Sequence, residues 1–129
     1  FKGQSPTSRF NNYKNIQNTV KELSLNGANI TSGTDSPIMP YGTSLHVEIW
    51  SYVESGLTPF EALQTSTINA AKSLNVAKDL GSIEVGKIAN ISIVEGNPLD
   101  NIYDTQRVKY VLVNGNVYSI EELMTPPGK

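Results

Sequence analysis

Few residues in this sequence are of types suited to chemistry, and Asp35 comes first among them. It stands in Gly33-Thr34-Asp35-Ser36-Pro37, just after a short stretch with strand character and just before a loop containing Pro40 and Gly42. An aspartate so placed can bind a divalent metal through one oxygen and accept a proton from a water that the metal acidifies. The same residue equally suits a plain turn, its carboxylate bonded to its own backbone. His46 is the one histidine. It suits a contact with substrate or metal near the start of a helix, or an ordinary helical position with a satisfied ring. One histidine cannot complete the three protein ligands of a usual catalytic zinc without several carboxylates. There is no cysteine, so disulfides and thiolate sites are excluded. Gly33 and Gly42 would let backbone approach a ligand, though ordinary turns use glycine for the same reason. Tyr41, Trp50 and Tyr52 could line a pocket, but Trp50 and Tyr52, two apart on a helix, face different ways. Glu48 and Glu54 read as solvated helix carboxylates before they read as acid–base groups.

The elements that must position these residues follow from apolar spacing. Residues 1–7 read as loop. Phe10, Tyr13, Ile16, Val20 and Leu23 recur at helical steps and predict one apolar face, ended by Asn26-Gly27. Residues 28–32 read as a short strand. A second helix spans about 44–55 with Leu45, Ile49, Tyr52 and Val53, and Gly56 stops it. Thr58-Pro59-Phe60-Glu61 is the clearest local signal, a capping box with proline at the first helical position. Another short helix starts near Thr67, carries Ala70, Ala71 and Leu74, and is capped by Asn75. From Leu80-Gly81 the chain changes character. Ala89, Ile91 and Ile93 alternate with polar residues as a strand does. Gly96-Asn97-Pro98 turns, residues 108–113 form a second strand, and Asn114-Gly115 predicts a hairpin into residues 116–118. Residues 120–124 suit one helical turn, and Thr125-Pro126-Pro127 closes the ordered part.

With 129 residues, 38% hydrophobic and 17% charged, the chain has the composition of one globular unit. A net charge of -2 and basic residues scattered singly argue against a nucleic-acid partner. No apolar run is long enough to span a bilayer as a helix. The chain begins with Phe1 and not Met, which suggests a piece of something longer. The sequence gives no compartment.

The order of motifs is more telling than any single one. Gly33-Thr34-Asp35-Ser36-Pro37 is followed by Gly42-Thr43-Ser44-Leu45-His46-Val47-Glu48, then Ser55-Gly56-Leu57-Thr58-Pro59-Phe60-Glu61-Ala62-Leu63 and Thr67-Ile68-Asn69-Ala70-Ala71. Leu80-Gly81-Ser82-Ile83-Glu84-Val85-Gly86-Lys87, Ala89-Asn90-Ile91, Asn97-Pro98-Leu99 and the Asn114-Gly115 hairpin complete the series. In this order, from about Gly27 to Tyr118, the sequence resembles the C-terminal part of amidohydrolase-superfamily enzymes, in the imidazolonepropionase- and prolidase-like branch.

That resemblance implies an α/β fold. Residues 1–79 would be the last strand and helices of a (β/α)8 TIM barrel, and residues 80–129 strands of the family's small composite β-sandwich. It implies a parent that hydrolyses C–N bonds of amides, cyclic amides or dipeptides with water activated by one or two divalent metals, commonly zinc. Asp35 would be both metal ligand and proton shuttle, and His46 would lie near the substrate. Asn90 departs from the aspartate usual at that position, a change expected to alter local hydrogen bonding and to spare the chemistry. The family's His-X-His pair, bridging Lys or Glu and two further histidines are absent, so the metal site is incomplete and the chain alone is expected to be inactive. Unpaired strands invite the missing N-terminal part of the enzyme, another copy, or strand exchange. A different reading is a non-catalytic interaction module built on the same scaffold.

Overall fold

The computed structural model describes residues 6–35 and 37–125, without the side chains of Pro6 and Arg9. Four helices come first: α1 (Pro6–Leu25), α2 (Thr43–Glu54), α3 (Pro59–Thr65) and α4 (Ile68–Ser73). Strand β1 (Ile91–Val94), a 3-10 turn (Ile102–Gln106), β2 (Val108–Val113), β3 (Asn116–Ser119) and the short α5 (Ile120–Met124) follow. Of the expected opening loop, residues 1–5 lie outside the described residues, while Pro6 and Thr7 are already helical. Ser36 in the turn and residues 126–129 also lie outside them.

Helix α1 ends where Asn26-Gly27 predicts, with the Ala28 N–H donating back to the Leu23 carbonyl. Only part of its expected apolar face docks. Gln17 is buried, whereas Ile16 is 62% and Phe10 60% exposed. The docked side carries Tyr13, whose hydroxyl donates to Glu54 at the end of α2 at 2.8 Å, and Lys21, whose stem lies against Gly56. Apolar spacing located the helix but not its rotation, because the neighbour it meets offers polar partners.

In α3 the capping box forms as the sequence predicts. The Glu61 N–H donates to Thr58 Oγ1, and the Glu61 carboxylate receives the Thr58 N–H at 2.7 Å. The core is small. Ile49, Ala62 and Ile102 are buried together, with Trp50, Tyr52, Val53 and Leu63 packed around them. It joins α2, α3 and the 3-10 turn, so the helical part and the strand part share it.

Residues 28–33 do not form a ladder with another strand among the described residues. Their backbone groups are met by helices instead. Asn69 Nδ2 donates to the Ile30 carbonyl at 3.1 Å, and the Ser32 N–H donates to the Thr65 carbonyl at 3.2 Å. The Tyr52 hydroxyl lies 3.1 Å from the Thr31 carbonyl, and the Gly33 N–H donates to Glu48 at 2.9 Å. Residues 30 and 32 thus turn to α3 and α4, and residues 31 and 33 to α2. This is the alternation of an extended chain. The segment has strand conformation without strand partners.

The strands pair antiparallel in the order β1-β2-β3. Ile91 faces Leu112, Ile93 faces Tyr110, and Leu112 faces Val117, which sets one apolar side of the sheet. Asn114 and Gly115 turn the hairpin with φ of 50° and 81°, the left-handed pair that a tight two-residue hairpin requires. Asn90 Oδ1 accepts the Asn114 N–H at 2.8 Å, an oxygen that an aspartate would supply equally. Where the chain passes between its halves, Gly81 (φ +94°) lies flat on α4, with space for no side chain: a Cβ there would stand 2.6 Å from that of Ala71.

Candidate functional site

The extended segment delivers Asp35 at its end, where the chain turns. Asp35 has φ +54°, and its carbonyl accepts the Ile38 N–H at 3.0 Å. A left-handed aspartate costs little in a turn because its short side chain tolerates that region. The residue is exposed. Just before it, Gly33 and Thr34 line an open groove of about 350 Å³ together with Pro40, Ser44, Val47 and Glu48. Asp35 stands at the edge of this groove, not within its lining.

Helix α2 presents two separate stripes, each a pair spaced by four residues. Glu48 and Tyr52 turn toward the extended segment. Besides the Gly33 N–H, Glu48 Oε1 receives the Tyr52 hydroxyl at 2.8 Å. Burial first, then the Glu48 carboxylate, pushes ionisation of Tyr52 well above the usual phenol range. Glu48 is therefore not a solvated helix carboxylate. The sequence offered one missed signal for this, its spacing of four from Tyr52.

The other stripe, His46 and Trp50, turns toward the 3-10 turn. His46 Nδ1 and Trp50 Nε1 each lie 3.2 Å from Thr105 Oγ1. The Thr105 hydroxyl donates its only proton to the Ile102 carbonyl at 2.9 Å, so it accepts from both rings. Neutral His46 thus carries its proton on Nδ1. The imidazole stacks on Trp50 with ring centroids 6.4 Å apart, and Trp50 meets Tyr103 at 4.8 Å. Burial holds the His46 pKa below the ordinary histidine value. Asp35 and His46 therefore serve different neighbourhoods, and any contact of His46 with a substrate falls to Nε2.

Among the described residues no three His, Cys, Asp or Glu side chains gather as a metal site. Asp35 fits a divalent cation as one donor, a hard and accessible carboxylate oxygen, and the rest of a set would have to come from elsewhere. Arg107 and Lys109 pair with Glu95 at 2.9 and 3.3 Å in exposed contacts that join the ends of β1 and β2.

The sequence profile of the amidohydrolase family matches residues 5–118. A 5-methylthioadenosine/S-adenosylhomocysteine deaminase of Thermoanaerobacter pseudethanolicus is 35% identical over 85 residues, which is 59% of this chain and 20% of that protein. An imidazolonepropionase of Shewanella frigidimarina is 43% identical over 67 residues, 50% of this chain and 16% of that one. Among solved structures, a Xaa-Pro dipeptidase with methionine bound in its active site superposes with a TM-score of 0.74 at 35% identity, over 81% of this chain and 25% of the other. Molinate hydrolase gives a TM-score of 0.74 at 25% identity, over 87% and 28%. The chain thus spans a fifth or less of these two curated relatives and about a quarter of the solved structures. With a profile match over most of its length and a mixed helix–strand architecture shared with these structures, the chain belongs to the amidohydrolase family.

Proposed function

We propose that the chain supplies the last strand and helices of a (β/α)8 barrel, residues 1–79, and strands of a small composite sandwich, residues 80–129, to a metal-dependent hydrolase of C–N bonds. The observation that carries this reading is the placement of Asp35. It is exposed at the end of an extended segment and at the edge of a groove, as a barrel fold requires of a catalytic carboxylate. Zinc is the metal we expect, and amides, cyclic amides or dipeptides are the substrates, in keeping with relatives named as an imidazolonepropionase and a Xaa-Pro dipeptidase.

A bound divalent cation lowers the pKa of a coordinated water toward neutrality. With such an ion bound, Asp35 would serve as one of its ligands and as the base that accepts the proton of the attacking water and returns it to the leaving nitrogen. His46, fixed by Thr105, offers Nε2 to the substrate. The remaining metal ligands belong to the N-terminal part of the same enzyme, so the chain alone is inactive. Apolar side chains such as Val117 (60% exposed) and Ile16 (62%) are left for that part, or for a second copy, to cover. Size-exclusion chromatography of the isolated chain should show self-association; a compact, well-folded monomer would count against this element of the proposal.

The deciding experiment is Asp35→Asn in the full-length protein, assayed on a panel of dipeptides and cyclic amides. Turnover should fall by about 10²–10⁴-fold, the range for loss of a general base. Turnover near the native rate rejects the role. A second reading, a non-catalytic module, draws on the lack of a three-ligand cluster among the described residues. Zinc analysis separates the two, since a full-length protein without stoichiometric metal favours the module.

A further inference from the structure

Glu48 has a geometry that the proposed chemistry does not use. Its Oε1 accepts the Gly33 N–H at 2.9 Å and the Tyr52 hydroxyl at 2.8 Å. Its Oε2 is sealed from solvent and has no hydrogen-bond partner among the described residues. A buried polar atom without a partner is costly, so a carboxylate here is not explained by packing. What it holds is the peptide group two residues before Asp35. The Tyr52 hydroxyl, whose proton goes to Glu48, lies beside the same segment one step earlier, 3.1 Å from the Thr31 carbonyl. On the far side the Asp35 carbonyl is engaged by the Ile38 N–H at 3.0 Å. Asp35 itself is exposed, and its carboxylate has no hydrogen bond to another described residue. Its location is therefore set by the backbone on either side.

Resting on the reading of Asp35 as a metal ligand, we infer that Glu48, braced by Tyr52, is a positioning residue: through the Gly33 amide it fixes where the Asp35 carboxylate meets the cation. Supporting groups of this kind act through the ligand they orient, and their removal weakens metal binding by roughly 10–100-fold. The required property is an acceptor oxygen at Gly33, not a charge.

The test is the zinc affinity of the full-length protein, measured by competition with a chromogenic chelator, together with the melting temperature of the zinc-free form. Glu48→Met keeps the length of the side chain and removes the acceptor. It should weaken zinc binding by about 10–100-fold. Glu48→Gln keeps an oxygen for the Gly33 N–H and should bind within about threefold of native, a rescue that general loss of packing would not produce. Native affinity in Glu48→Met overturns the inference, as does Glu48→Gln binding as weakly as Glu48→Met. Should Glu48→Met fail to fold, Tyr52→Phe decides: a loss of about threefold or more upholds the inference, and none overturns it. Asp35→Asn binding zinc as tightly as the native protein sinks the metal-ligand reading itself. Weak binding in Asp35→Asn beside native binding in Glu48→Met sinks only the role of Glu48.

Discussion

Two β-like regions of this molecule reach extended conformation by different means. Residues 91–119 make their own ladder, with β2 pairing to β1 on one side and to β3 on the other. Among the described residues, 28–33 pair with no strand and are held by a glutamate, an asparagine and one helix carbonyl. The difference lies in sequence distance. A hairpin closes across two residues, so its partner is always supplied. Residues 28–33 are met instead by groups 15 to 39 residues away along the chain. The region that carries Asp35 is thus the one whose structure depends most on groups distant in sequence.

The strongest way to break this contrast is at Gly81, where the strand-bearing half rests on α4. In Gly81→Ala the new methyl would meet the Ala71 side chain and the Ile68 backbone at a φ of +94°. Strain and overpacking together should cost about 2–4 kcal/mol. Thermal denaturation should show a clearly lower midpoint, and an unchanged one would mean that the two halves do not share their stability through this contact.

A smaller effect is expected at Asn69, which donates to the Ile30 carbonyl and whose own carbonyl receives Asn29. Asn69→Ala leaves the Ile30 carbonyl without its donor, at about 1–3 kcal/mol. Hydrogen exchange should speed up in residues 29–33 and stay unchanged in β2 and β3. Equal acceleration in both regions would erase the distinction drawn between them.

The mildest effect is that of acid on the two capping boxes, one in each half. The backbone N–H and hydroxyl of Thr58 hold the Glu61 carboxyl below the usual carboxylate range, and Ser119 does the same for Glu122. A depressed folded-state pKa stabilises fully above the unfolded value and loses that contribution as pH falls through the folded value. Helicity at α3 and α5 should therefore hold through neutral pH and decline only on acidification below the ordinary carboxylate range. Circular dichroism of the native protein against Thr58→Ala and Ser119→Ala checks this, since each variant should begin its decline at higher pH.

Much of the architecture was legible in local chemistry. Thr58-Pro59-Phe60-Glu61 announced α3 and its cap, and Asn114-Gly115 announced the hairpin, because both signals act within four residues. The ordered series of motifs pointed to the family that the profile match establishes. Asp35 was placed after an extended segment and before a turn, and the structure has it there. The rotation of α1 was not legible, since Gln17 and not Ile16 is buried against a partner that spacing alone cannot name. Nor was the division of labour on α2. Sequence set Glu48 and Tyr52 four apart, as it did His46 and Trp50, but not which pair meets the Asp35 strand and which meets Thr105.

The amino-acid sequence by itself determined helices α1 to α4, the cap of α3, the hairpin and the family, since each rests on residues close along the chain or on their order. Tertiary structure alone decided that Glu48 grips Gly33, that His46 donates to Thr105, and that an extended segment without strand partners is held by helices. Those outcomes depend on contacts across 15 residues between Gly33 and Glu48 and 59 between His46 and Thr105, and contacts at such separations are fixed by how elements pack, which local propensity does not specify.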